Sequence, residues 1–172
     1  EVPALFRDSS FDVLSRAYDR VVDWQGRILD ITNELLGDRS GSVDRAIDQA
    51  LARTGELAGS DRTYVFRLRP PGRIDNTHEW VAPGITPMIE HLQDMPADLL
   101  DEWRPALEAG RPEYIPDIDA LPEGSEVKEV LQMQGIRSLL AVPMMQEGTL
   151  TGFVGYDAVR SHRTFLPAEI QL

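Results

Sequence analysis

No cysteine occurs among the 172 residues of the chain. Disulfides, thiol catalysis and cysteine-ligated metals are therefore excluded. A reducing compartment fits this composition, so a cytoplasmic location is expected. Basic residues are scarce: 17 Lys and Arg stand against 29 Asp and Glu, a net charge of −12. Nucleic acid and anionic membrane both select positive surface, so neither is expected as a partner. No apolar run approaches the roughly 20 residues of a spanning helix. The opening residues lack the pattern of a signal peptide, so none is expected here. It begins at Glu1 without a Met and stops in what reads as the first turn of a helix, so a piece of a longer protein is expected. There is no repeat and no low-complexity tract. The length suits one domain, which can bury roughly 70% of its unfolded surface.

What is present is organised around Ile136–Asp157. Arg137–Met145 is dense in apolar side chains, Gln146-Glu147-Gly148 breaks the run with turn chemistry, and Thr149–Asp157 resumes it. Apolar residues occupy both alternating faces of each half. Such a hairpin is buried on both sides and belongs inside a sheet with layers above and below. Pro143 cannot donate to a ladder, so it is expected near a strand end, at a bulge or on an unpaired edge.

Before the hairpin, Phe11–Leu36 has helical spacing. Leu14, Val21, Ile28 and Leu35 form one complete heptad row. This stripe either covers the domain's own sheet or meets a second subunit, and it is wide enough for both. A helix from Val43 to Ala58 follows, ended by Gly59. Strands are predicted over Arg62–Arg69 and Ile74–Ala82. Thr86-Pro87 reads as the start of a short helix through Leu92, and Asp98–Leu107 as another, disturbed by Pro105. Glu113–Pro116 suits a short strand, and Ser125 caps a helix carrying Val127, Val130 and Leu131. Pro167 marks the start of a last helix. This order predicts an α+β, three-layer α/β/α sandwich with a central antiparallel sheet of about six strands. The layer between the second strand and the hairpin is short and Pro-interrupted, so a cavity for a small ligand is expected beneath it.

At this point the chain resembles a GAF domain. The motifs are Ser60–Arg67, Asn76-Thr77-His78-Glu79-Trp80, Gly84-Ile85-Thr86-Pro87, Leu131–Ser138, Val142-Pro143-Met144, Gly152–Asp157 and Arg163 ahead of Glu169-Ile170. They span about residues 42–172, leaving 1–37 as an N-terminal helical segment and 38–172 as the domain. Similar domains sit in bacterial sensor histidine kinases and diguanylate cyclases. The resemblance implies small-molecule or chromophore binding, a homodimer formed through the flanking helices, and control of an effector domain. An Asn-Lys-Phe-Asp-Glu type motif, which marks cyclic-nucleotide binders of this family, has no counterpart. The cysteines used by most bilin attachment sites and by free methionine sulfoxide reductases are missing too. The ligand and any cofactor are thus left unknown.

Candidate ligand-binding residues are Phe66, His78, Trp80, Met88, His91, Leu92, Trp103 and Arg137. His78 and Glu79 are adjacent on a strand and point to opposite faces, so they cannot form a dyad. His78 is a ligand contact or a hydrogen-bonded structural residue. His91 has no second ligand at suitable spacing to support haem or metal. Phe66, Trp80, Met88 and Trp103 are core or cavity lining. Arg62, Arg67 and Arg137 either clamp an anion or form surface ion pairs. Asp94, Asp98, Asp101 and Glu102 read as a solvated face, and His162 as surface. No catalytic constellation and no metal site is predicted. A ligand-binding sensory module is expected, with a ligand-free dimerisation or spacer domain as the alternative.

Overall fold

The computed structural model describes residues 43–165, which fall within one compact unit, 41–172. The proposed interface residues Leu14, Val21, Ile28 and Leu35, and the helix expected after Pro167, lie outside the described residues. Helix α1 (Val43–Ala58) leads into β1 (Arg62–Arg69) and β2 (Arg73–Val81). A 3₁₀ turn (Ile89–His91), β3 (Met95–Pro96), a second 3₁₀ turn (Ala97–Leu100), α2 (Arg104–Glu108), β4 (Glu113–Ile115), a third 3₁₀ turn (Ile118–Ala120) and α3 (Glu126–Met133) follow. The chain then forms β5 (Ser138–Gln146) and β6 (Thr149–Ala158). The six strands make one sheet in the order β3-β2-β1-β6-β5-β4, every neighbour antiparallel. This is the expected α+β fold with α1 on one face and the mid-chain segment on the other.

Local chemistry explains the elements. Helix α1 ends in a paired closure: Ser60 N–H donates to the Gly55 carbonyl at 2.9 Å and Gly59 N–H to the Glu56 carbonyl at 3.1 Å. The β5–β6 turn places Glu147 and Gly148 at φ 49° and 77°. Two successive positive φ values match the twist of a two-residue hairpin, and Gly tolerates the second without strain. Ser125 caps α3 as predicted, its Oγ accepting from Lys128 N–H. Pro143 sits beyond Ala141, the last residue paired with β4, where the outer edge of β5 is open.

Two mid-chain helices differ from expectation. The helix predicted from Thr86 shrinks to the Ile89–His91 turn. The Thr86 carbonyl accepts from Arg62 Nη2 at 3.2 Å, and Met88 and Ile89 N–H donate to Glu79 Oε2 at 2.8 and 3.1 Å. Of these groups a helix starting there would use only the Thr86 carbonyl, and Arg62 has taken it. The Asp98–Leu107 helix is interrupted because Pro105 has no N–H to bond back one turn, and α2 restarts at Arg104. β3 has only Met95 and Pro96, too short to show alternation.

The core lies between the sheet and the mid-chain segment and centres on Tyr64, Phe66, Leu92, Trp103, Leu107, Ile118, Leu139 and Phe153. Tyr64 lies directly over Gly155: a Cβ there would stand 2.2 Å from the ring. Gly155→Ala should destabilise the fold, since overpacking of about 1–3 kcal/mol outweighs the roughly 0.4–1 kcal/mol gained from a stiffer unfolded chain. Urea denaturation checks this. A variant as stable as the parent contradicts it.

Candidate functional site

The cavity face of the sheet is set by register. Tyr64, Phe66 and Leu68 of β1 stand opposite Glu79, Asn76 and Ile74 of β2. Thr63 and Val65 stand opposite Trp80 and His78 on the other face, where Thr63 Oγ1 donates to the Leu51 carbonyl of α1 at 3.0 Å. The register shifts between Val65 and Phe66, so β2 carries one extra residue, Thr77. This bulge changes which parity faces the cavity.

A cavity of about 50 Å³ lies between this face and the mid-chain segment. Tyr64, Phe66, Ile74, Leu139 and Phe153 form its floor. Leu92, Met95, Leu99, Leu100, Trp103, Val127, Val130, Leu131 and Gln134 form the walls and lid. Phe66 and Phe153 stack at 5.2 Å with 19° between planes, and Tyr64 meets Phe66 edge-on at 5.5 Å. The lining is hydrocarbon and thioether apart from Tyr64, Trp103 and Gln134, which favours an apolar guest. An engineered apolar cavity of about 150 Å³ admits benzene. The present space is a third of that, so a ring-sized guest requires the lid to move.

Behind the floor lies a buried charge cluster. Arg62, Asp157 and Glu79 have side chains 1%, 0% and 2% exposed. Arg62 Nη1 contacts Asp157 Oδ2 at 3.2 Å, and its Nε faces Glu79 Oε1 at 3.6 Å. Tyr64 donates its hydroxyl to Asp157 Oδ1 at 2.9 Å. The cluster therefore joins β1, β2 and β6 to the cavity floor through Tyr64, and to the start of the lid through Glu79 and Thr86. Burial pushes the Asp157 carboxyl up to about 7, outweighing the opposing pull of Arg62 and the Tyr64 hydrogen bond. Burial, then the Asp157 charge, raises the Tyr64 hydroxyl.

Of the predicted residues, Phe66, Leu92 and Trp103 line the cavity. Met88 packs beside it, half-buried. His78 and Trp80 do not belong to it. His78 Nε2 lies 3.4 Å from Asp44 of α1, and the Trp80 ring sits under Gly55 of α1. Strict alternation puts both on the face of Ile74 and Asn76, and the bulge at Thr77 reverses them. His91 is exposed because its turn is a single 3₁₀ cycle with no buried residue. Arg137 is exposed and donates Nε to the Val159 carbonyl at 3.0 Å, so it does not reach the cavity. Arg62 does point inward, but toward protein carboxylates. Asp94, Asp98, Asp101 and Glu102 are exposed, with Asp94 bound by Arg69 and Arg73 and Asp101 by Arg104.

Of the other β1 residues, alternation from Phe66 reaches one further lining residue, Tyr64. The charge cluster has a weaker signal: Arg62, Glu79 and Asp157 stand at strand ends far apart in sequence. Asp157 makes a pH prediction. Its carboxyl titrates near 7 in the fold against 3.8 ordinarily, so the folded state holds the proton longer. Its stabilising contribution is complete below about pH 4 and is lost as pH rises through about 7. The stability of the parent relative to Asp157→Asn should therefore fall between pH 4 and pH 7, measured by urea denaturation. Parallel profiles contradict this.

The GAF domain family matches residues 42–172. A methanogenesis regulatory histidine kinase, FilI, of Methanothrix harundinacea is 30% identical over 136 residues, covering 76% of this chain. The chain spans only 15% of that kinase's length. The phycocyanobilin-bound GAF domain of a cyanobacterial phytochrome superposes with a TM-score of 0.72 at 20% identity, covering 86% of each chain. The chromophore-binding domain of a Stigmatella aurantiaca bacteriophytochrome does so at 0.71 and 17%, covering 88% of this chain and 56% of that one. These two likenesses concern the fold. Among the described residues no helix is long and apolar enough to cross a membrane. With the six-stranded antiparallel sheet and the family match over residues 42–172, the chain belongs to the GAF domain family.

Proposed function

We propose that this domain is a cytoplasmic sensory module, regulatory rather than catalytic. It takes a small, largely apolar molecule between the sheet and the mid-chain segment. It passes the change through terminal helices to an effector domain elsewhere in the full-length protein. The observation that carries this reading is the apolar cavity itself, roofed by Leu92, β3, the Ala97–Leu100 turn, Trp103 and α3 rather than by long helices. Short elements hold few internal hydrogen bonds, so they move at low cost. The likeness to a regulatory histidine kinase supports a signalling role.

The relay has a physical basis in the charge cluster. A guest pressing on Tyr64 acts on Asp157 near the end of β6 and, through Arg62 and Glu79, on the start of the lid. Beyond β6, the Asp61 carboxylate accepts from Val159 and Arg160 N–H at 2.8 and 2.9 Å, holding the chain as it leaves the sheet. A ligand changes output only by its differential affinity for two arrangements. A homodimer through Leu14, Val21, Ile28 and Leu35 completes the proposal. A second reading, a spacer that binds nothing, is favoured by the small cavity of about 50 Å³.

A thermal-shift screen of small apolar and aromatic metabolites separates the two. A true ligand at 100 times its dissociation constant should add about 2.7 kcal/mol of stability. Val127→Phe, which fills the cavity wall, should abolish that gain. A broad screen without a hit, together with a Val127→Phe protein as stable as the parent, establishes the spacer instead.

A further inference from the structure

Asn76 is 1% exposed, and neither its Nδ2 nor its Oδ1 has a hydrogen-bond partner among the described residues. It stands on the cavity face of β2. Phe66, its direct cross-strand partner, lines the cavity, as does Ile74 two residues earlier. Its backbone is held on the other edge of the strand: its N–H donates to the Leu92 carbonyl at 3.0 Å, and its carbonyl accepts from Gln93 Nε2 at 2.8 Å. Leu92 is itself a lining residue of the lid. Asn76 is not itself a lining residue; it stands between two that are, Phe66 paired with it across the strands and Leu92 bonded to its backbone.

A buried, unpaired carboxamide lowers stability, and a leucine of similar size would fill the place without that penalty. The neighbouring polar groups do not relieve it. Arg62 is committed to Asp157, Glu79 and the Thr86 carbonyl. This commitment also argues against an anionic guest, which would find no cation to meet it. A carboxamide offers one acceptor and two donor hydrogens in a single plane. Its complement is a cis-amide edge, N–H beside C=O, as in a lactam, an imide or a pyridone.

Resting on the cavity reading above, we infer that Asn76 determines ligand specificity by pairing with the cis-amide edge of a small neutral ring molecule. The body of the ring lies against Phe66 and Phe153, and its amide edge reaches Asn76 as Leu92 moves aside with the lid. The guest replaces two missing hydrogen bonds at once, so an analogue without the amide hydrogen leaves the carboxamide partly unpaired and binds more weakly.

The test titrates 2-pyridone, N-methyl-2-pyridone and toluene into the protein, reading heat of binding and the Asn76 side-chain amide resonance by NMR. The expected result is that 2-pyridone binds at least about tenfold more tightly than the other two and shifts that resonance. Asn76→Leu should bind all three alike. Equal affinities in the parent protein, which is also the outcome if the carboxamide holds only buried water, overturn the role of Asn76 and leave the cavity reading standing. Failure of all three to bind overturns the role of Asn76, and the broad screen above then decides the cavity reading. Should Asn76→Leu not fold, the three ligands on the parent protein decide alone.

Discussion

One guanidinium, enclosed by two carboxylates, fixes the geometry on which the rest of this domain depends. Arg62 draws Asp157 of β6 and Glu79 of β2 onto β1, and it holds the Thr86 carbonyl at the start of the lid. Taking such charges out of water costs several kcal/mol per ion. The attraction offsets that only where the geometry is tight and the remaining lone pairs are filled. Here Tyr64 and the Met88 and Ile89 N–H groups fill several of them. Removing one partner would leave an uncompensated buried charge, a loss of about 3–5 kcal/mol. The raised carboxyl of Asp157 reflects its burial, which Arg62 and the Tyr64 hydroxyl do not fully offset.

The cavity exists because floor and lid are built differently. The floor is a continuous sheet with a T-shaped and stacked aromatic trio, packed down by Tyr64 over Gly155. The lid over it is made of Leu92, a two-residue strand, a four-residue 3₁₀ turn, Trp103 and a helix of eight residues. Few backbone bonds hold it internally, and its first turn hangs on Glu79. A rigid floor beneath a lightly fastened lid is the arrangement in which a small guest shifts a population of structures without unfolding the domain.

Sequence reasoning reaches the strands well because their apolar patterns are long and their turns are marked by glycine and proline. β1, the hairpin β5–β6 and the Ser125-capped α3 are legible for that reason. The lid is not: at Thr86-Pro87 the carbonyl a helix would use is taken by Arg62 from across the fold, and nothing local marks that. The candidate site is half legible. Phe66, Leu92 and Trp103 line the cavity as expected. His78 and Trp80 lie on the opposite face because Thr77 is an extra residue in β2, and one inserted residue inverts every side chain beyond it. Nothing in Asn76-Thr77-His78 marks that bulge. Arg62, Glu79 and Asp157 are separated widely in sequence, so only the register of three strands brings them together.

Native-state hydrogen exchange bears most directly on whether the lid moves apart from the sheet. The Met88 and Ile89 amides, bonded to Glu79, should exchange through a local opening of clearly lower free energy than global unfolding. The amides that pair β1 with β6 should exchange only with global unfolding. If Met88 and Ile89 share the global value, the lid is part of one rigid body, and no guest enters without unfolding the domain.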